Sequence, residues 1–438
     1  MPISDVATPC QAWHAQENDR SIIRALLGGT EAMRAAGGAY LPQQLKESNE
    51  AYARRLRSSF LYPALRHTVK TFVGRVLGQA IDTSEVVEPI KTYLEDIDRD
   101  GNNLTVFARH VFFDAVAYGV SWIYVDRDPL VAGSTLADAR RQNNRPYLVH
   151  VKCSDVIGWR PDAEGGIGRV RIRERIADDS QAGDWDDEVY LDQIRVIEPR
   201  RYEIFRQSDP KSENAGDWVS VGEGKHGLDL VPLVPLYTEK TGFFTARPPL
   251  LDQAWLSIAH WQSYSDQRHI EHIIRVPILL GKGFTQAELG SLEIGADRMV
   301  IASNPAADIT YSEHSGEAAK IGRADLEDLE SKMAQLGAQV VDRQPTMETA
   351  TKTSIDSAES GASLAAMSMA LQDALNLAIW YMGLMLNIPD AGEVHINVDI
   401  PSATEAVEAV REEGEDDDGQ TPVAPAARET KTPTPKPN

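Results

Sequence analysis

The chain has 438 residues and carries 44 Lys plus Arg against 66 Asp plus Glu, a formal net charge of −22. Apolar residues make up 42%, enough for a real core, which excludes a wholly disordered chain and allows two or three domains. The acid excess argues against gripping nucleic acid through a broad basic surface, because such binding rests on Lys and Arg displacing counterions from phosphate. It leaves open a protein that DNA passes without sticking.

The region to about Asp126 reads as mostly helical. Glu50 to Gly78 predicts helix, a break near Pro63, and helix again, with Leu65, Thr68, Phe72 and Val76 on one face. Asn103 to Tyr118 predicts another helix, with Leu104, Phe107, Ala108, Val111, Phe112 and Ala115 on one side. Asn102 or Asn103 is its expected N-cap and Gly119 its stop. Val120 to Val125 follows as a strand. From Pro146 to about Tyr237, short runs rich in Val, Ile and Tyr alternate with turn-rich segments. The expected strands are Tyr147–Val151, Val156–Trp159, Val170–Ile176, Val189–Ile197 and Tyr202–Arg206, forming an antiparallel meander.

Pro249 to Ile274 predicts a long helix with an apolar start and a polar middle (Gln262, Ser263, Ser265, Asp266, Gln267), ended by Pro277. A compact mixed segment runs to about Ala319. Leu326, Leu329, Met333, Leu336 and Val340 then step by 3, 4, 3 and 4 residues, a heptad seam with Glu327, Asp328, Ser331 and Gln335 opposite. A polar, Thr-rich stretch, Gln344 to Ser357, precedes a long helix from about Ala358 to Leu386. Its stripe is Leu364, Met367, Leu371, Ala374, Leu375, Ala378, Met382 and Met385. From about Ser402 the composition is too polar and acidic to offset ordering entropy, and disorder is expected. The fold class is α+β.

Several chemical motifs fail on inspection. Asp96 to Gly101 matches half of a calcium loop, but the twelfth position is Phe107 rather than a bidentate Glu. His269 and His272 stand three apart on a helix without an identifiable third ligand. Gly281-Lys282-Gly283 lacks the other elements of a phosphate loop, and Gly28-Gly29 and Gly37-Gly38 follow no strand. The two cysteines, Cys10 and Cys153, exclude a disulfide framework. On a strand, Cys153 and His150 would point to opposite faces, which disfavours a thiolate pair. Met1 to Cys10 lacks the regions of a signal peptide. Ala374 to Leu386 is shorter than the about 20 residues a membrane span needs. The expectation is a soluble intracellular protein that is not an enzyme, with no cofactor, metal or membrane partner.

Taken together, several segments resemble the portal proteins of tailed bacteriophages, in particular a subgroup long catalogued as a domain of unknown function. They are Tyr40-Leu41-Pro42 with Tyr52 to Gly78; Phe112, Asp114, Ala115 and Tyr118-Gly119-Val120 running into Tyr124-Val125-Asp126; and Pro248 to Asp252 with His260, Ser265 and Asp266. Leu336-Gly337-Ala338, Glu348-Thr349-Ala350 and Glu359-Ser360 with Leu364 complete the set. The order and spacing of the whole set carry the likeness, over roughly residues 20 to 400.

Such proteins form a ring, usually of about twelve subunits, at one capsid vertex. The resemblance implies an N-terminal arm (1–19), a wing (20–245, helical over 20–126 and β-rich over 146–237) and a stem helix (246–275). A clip (276–322), a second stem helix (323–341), a tunnel loop joining the wing (342–357), a helix toward the crown (358–401) and a tail (402–438) complete it. It implies a homo-oligomer through which double-stranded DNA is packaged and ejected. The partners would be terminase, which would hold the ATPase, the major capsid or scaffold protein, and a head-tail adaptor. The location would be the virion, and the host cytoplasm during assembly.

Helices about 10 Å wide, twelve abreast, would enclose a bore of about 28 Å, room for a duplex with a water layer. Glu327, Asp328, Ser331 and Gln335 would face this channel, the carboxylates repelling phosphate so that DNA slides. Gln344, Thr346 and Lys352 of the tunnel loop would touch DNA transiently. The rival readings are another ring-forming head-tail adaptor of a virion, and a metal-dependent hydrolase using an acidic pair or His269 and His272.

Overall fold

A computed structural model describes residues 5–128, 141, 144–177, 189–208, 216–275, 278–284, 304–312, 316–341 and 350–398. The tail expected to be disordered lies outside these residues, as do residues 285–303 and 342–349.

Helix α1 (Gln11–Ala36) buries Ile22, Ile23, Leu26 and Met33. Gly28-Gly29, which follows no strand, lies inside it. Gly29 takes φ 80°, ψ −162°, and kinks the helix there. Helix α2 (Asn49–Ser58) is capped by Ser48, whose hydroxyl accepts from Ala51 N at 3.2 Å. Pro63 separates it from α3 (Ala64–Val76), which buries Leu65, Thr68, Phe72 and Val76 as expected. A short α4 (Ile90–Tyr93) leads to α5 (Leu104–Tyr118). Asn103 is the N-cap of α5, its Oδ1 accepting from Val106 N at 3.0 Å. Gly119 ends α5 at φ 86°, and a Cβ there would lie 2.2 Å from Arg247 O, so only glycine fits.

Strand β1 (Val120–Asp126) is buried along its whole length because it serves two cores. Ile123 and Val125 face the larger core, built by α1, α3, α5 and the last helix. Val120, Trp122 and Tyr124 face the second, under the β-rich region. β1 pairs antiparallel with β2 (Tyr147–Val151) on one side and β8 (Leu233–Tyr237) on the other.

The meander forms a separate five-stranded sheet of β3 (Val156–Pro161), β4 (Ile167–Ala177), β5 (Tyr190–Glu198), β6 (Arg201–Gln207) and β7 (Trp218–Gly224), paired in chain order. The expected first meander strand, Tyr147–Val151, therefore belongs to the other sheet. Its partner is chosen by long-range pairing with β1, which local alternation does not reveal. β9 (Lys240–Gly242) and β10 (Thr245–Ala246) close a small ribbon.

Helix α6 (Leu251–Ile274) follows, then a hairpin of β11 (Ile278–Lys282) and β12 (Asp308–Ser312), then α7 (Glu317–Val341) and α8 (Ala350–Leu386). Helix α7 starts before the expected 323, within the segment assigned to the clip. Helix α8 starts before the expected Ala358 and takes in the second half of the stretch read as a loop. Its Thr and Ser residues weaken helix propensity only slightly, and no Gly or Pro interrupts residues 350–360. The eight-residue stripe expected for α8 is buried throughout.

Candidate functional site: the α6–α7 helix pair

Helix α6 and helix α7 run antiparallel, joined by the β11–β12 hairpin. Near the start of α6, Gln253 Nε2 donates to Met333 O at 3.1 Å and Ser257 Oγ lies 3.4 Å from Met333 Sδ. Midway, His260 Nε2 lies 3.0 Å from Glu330 Oε1. Toward the hairpin, Gln267 Nε2 donates to Ala319 O at 2.9 Å. Leu326 and Met333 of the heptad seam are buried in the contact.

Glycine permits the close approach at two points. A Cβ at Gly322 would lie 2.1 Å from Gln267 Oε1. One at Gly337 would lie 2.9 Å from Thr68 Oγ1 of α3 and 3.2 Å from Gln253 Nε2. A cleft of about 510 Å³ opens between α3 and α7, walled by Tyr62, His67, Thr71 and Glu330.

The polar middle of α6 is an anchor. Gln262 Nε2 donates to Tyr40 O at 2.9 Å. Ser265 is fully buried and lies 3.5 Å from Arg55 Nη1. Arg55, itself buried, forks onto Glu47 with both bonds at 2.8 Å and donates to Pro42 O at 2.9 Å. The Arg55 guanidinium holds the Glu47 carboxyl below its usual range. The Tyr40-Leu41-Pro42 turn and α2 thus clamp α6 against the body. Sequence reasoning saw the polar run but not its partners, which lie more than 200 positions away.

Glu327, Asp328, Ser331 and Gln335 are all exposed, on the side of α7 turned away from its buried seam. Asp328 Oδ2 sits 2.6 Å from Lys332 Nζ, one turn on, and raises the Lys332 ammonium above its ordinary range. The face keeps a negative excess through Asp325 and Glu327, both exposed, but it is weaker than two unpaired carboxylates at Glu327 and Asp328 would make it. Gln344 and Thr346 lie outside the described residues. Lys352 falls in the first turn of α8, not in a loop.

The remaining sequence candidates resolve into structural roles. Asp96 Oδ1 accepts from Gly101 N at 2.8 Å, and Asp98 Oδ1 from Asp100 N at 3.0 Å and Asn102 N at 3.2 Å. The half calcium loop spends its carboxylates on its own turn and, through Asp96 Oδ2 at 2.7 Å, on Arg145. Cys153 is buried and its thiol is pushed up to about 12 by desolvation, far from a reactive thiolate. His150 contacts Ser121 Oγ at 2.9 Å and Asp114 Oδ2 at 3.3 Å, both through Nε2. A nucleophile relay would need both ring nitrogens. His269 and His272 are exposed near the end of α6. Among the described residues no group of three or more His, Cys, Asp or Glu is placed to hold a metal. None of the described helices is long and apolar enough to cross a membrane.

One part-buried charge cluster had no signal in the sequence. Arg195 lies 2.7 Å from Glu174 and 3.2 Å from Asp126, beside the rings of Tyr124 and Tyr202. Burial opposes its charge, and the two carboxylates more than offset that. It ties β1 to the meander sheet, and its register is visible only once β4, β5 and β6 are paired.

Residues 249–383, from the start of α6 into α8, match a family described as "Domain of unknown function (DUF4055)". No curated protein matches the chain. Among solved structures, the chain is similar to one from the virion of a native gene transfer agent particle. That match has 10% identity and a TM-score of 0.42, and covers 89% of this chain and 96% of that one. It is also similar to a chain from the neck of an empty gene transfer agent particle, computed with C6 symmetry. There the identity is 10%, the coverage 83% and 88%, and the TM-score 0.45. A third similarity is to the neck of a native particle computed with C12 symmetry, at 11% identity, 81% and 85% coverage and a TM-score of 0.39.

Proposed function

We propose that this chain is a portal subunit: one wall segment of a ring that seats at a capsid vertex and lets double-stranded DNA pass during packaging and ejection. The observation that carries the reading is the antiparallel α6–α7 pair. Two long helices are clamped to the body through the start and middle of α6, linked by a β-hairpin at the far end, and turn a carboxylate-bearing face outward. Three of the portal-like segments fall on this unit and its clamp: Tyr40-Leu41-Pro42 holds α6, Pro248 to Asp252 opens α6, and Gly337 lets α7 approach α3.

In a ring, α7 of each copy would line the bore with Asp325, Glu327 and Asp328. Carboxylates there repel phosphate and limit sticking, so the wall guides the duplex without holding it. The Lys332–Asp328 pair tempers the repulsion at one turn. The clip would be the β11–β12 hairpin, where an adaptor or terminase would dock.

Mass photometry of the purified chain tests the reading. A species near twelve times the 48.2 kDa chain mass is expected. A single species at one chain mass, at micromolar concentration and with assembly partners present, would contradict it.

A further inference from the structure

Helix α3 carries an unusual surface for so acidic a chain. Between Glu50 and Asp82 there are six Lys and Arg residues and no Asp or Glu. Arg55 is buried on Glu47. Arg66 and Lys70 are exposed, one turn apart on the side of α3 away from the core, and neither has an ion-pair partner among the described residues. Arg109 of α5 is held at the end of α3 by its bonds to Leu77 O, at 3.2 and 2.7 Å, and is exposed as well. Glu330 of α7 stands across the cleft from His67 and Thr71 and is engaged by His260.

The chain leaves the described body beside this surface. Asp82 N donates to His395 O at 2.9 Å and His395 N returns a bond to Asp82 O at 3.0 Å. Ile81 N donates to Thr105 Oγ1 at 3.1 Å, which places the same point against the first turn of α5. Glu85, the nearby acid, lies 3.3 Å from His395. Val398 is the last described residue of this stretch, and Glu412 to Asp418 lies beyond it with six carboxylates in seven positions.

We infer that the acidic segment Glu412–Asp418 docks in cis on the basic face formed by Arg66, Lys70 and Arg109. The geometry permits it. Thirteen residues, hence fourteen Cα-to-Cα steps, separate Val398 from Glu412 and reach about 46 Å when extended. Helix α3 is about 20 Å long, so its whole basic face lies within that span. A tether of this length gives the segment an effective concentration in the millimolar range. A free polyanion such as DNA must instead approach a chain of net charge −22. The segment therefore works as a built-in phosphate mimic that keeps α3 from sticking to nucleic acid. The inference stands on charge and tether alone and does not require the ring reading.

Carbodiimide cross-linking of the full chain, read by mass spectrometry, tests the contact at Lys70. Mixing isotope-labelled and unlabelled copies separates links within one chain from links between chains. Links from Lys70 to residues 412–418 within one chain are expected at about 20 mM salt and should be lost by about 500 mM, as screening predicts. Their absence at low salt, or their occurrence only between copies, overturns the inference.

A second variant keeps the full chain but neutralises the segment with Glu412→Gln, Glu413→Gln, Glu415→Gln, Asp416→Asn, Asp417→Asn and Asp418→Asn. It should bind a short DNA duplex about tenfold more tightly than the parent, and Arg66→Glu with Lys70→Glu should remove the gain. Unchanged DNA binding would show that the segment guards nothing.

Discussion

Arg55→Ala is expected to destabilise the chain by about 3 kcal/mol, the low end of the range for breaking a buried ion pair. The side chains of Arg55 and Glu47 are 3% and 9% exposed, so water replaces little of the lost interaction. Removing the guanidinium also strips the Pro42 carbonyl of its donor and frees Ser265 and Asp266 on α6. Arg55→Lys restores the charge but not the fork, and should recover less than half of the loss. Urea unfolding at neutral pH reads both.

The pH dependence has a fixed sign. The folded-state pKa of Glu47 is depressed, so its stabilisation is present above the unfolded value and is lost as pH falls through the folded one. The gap between parent and Arg55→Ala should be full at neutral pH and shrink below about pH 4. A gap that stays constant down to pH 3 would mean that the Glu47 pair is not what Arg55 contributes.

Replacing Glu327 and Asp328 with Lys is expected to cut DNA-filled particles about tenfold or more while leaving ring assembly intact. The estimate rests on turning repulsion into phosphate contacts repeated in every subunit. Each copy gains four charge units, and Lys332 loses its Asp328 partner and adds to the new attraction. All these side chains lie on the surface away from the seam, so the helix pair should survive. Particle counts and encapsidated DNA, alongside sizing of the isolated assembly, separate the two effects. Normal filling would place the channel wall elsewhere on the molecule.

Local signals carried much of the fold. The caps at Asn103 and Gly119, the break at Pro63 and the apolar stripes of α3, α5 and α8 are each contained within a few turns of chain, and each is where periodicity put it. The failures share a cause. Tyr147–Val151 looks like its meander neighbours, yet it pairs with β1 at a register set by Trp122 and Asp126. Gly28-Gly29 carries no helix signal of its own, yet it lies inside α1, at a kink flanked by the buried Ile22, Ile23, Leu26 and Met33.

The candidate site follows the same division. The exposed positions Glu327, Asp328, Ser331 and Gln335 were legible from the heptad seam on the other side of the helix. The neutralising Lys332 sat in the same window and was overlooked. The clamp on α6 was not legible. A run of Gln, Ser and Asp in mid-helix signals exposure by composition, and only the fold brings Tyr40, Arg55 and Ala319 to it. The onset of α8 at Ala350 was hidden by Thr and Ser, whose local preferences yield to helix extension from a well-packed stripe.

The most direct test of the account is an image of the purified chain by negative-stain electron microscopy. The account predicts end-on views of a closed ring of about twelve subunits, with an open central hole of about 28 Å, wide enough for a duplex. Particles without a hole, or a bore too narrow for double-stranded DNA, would contradict it.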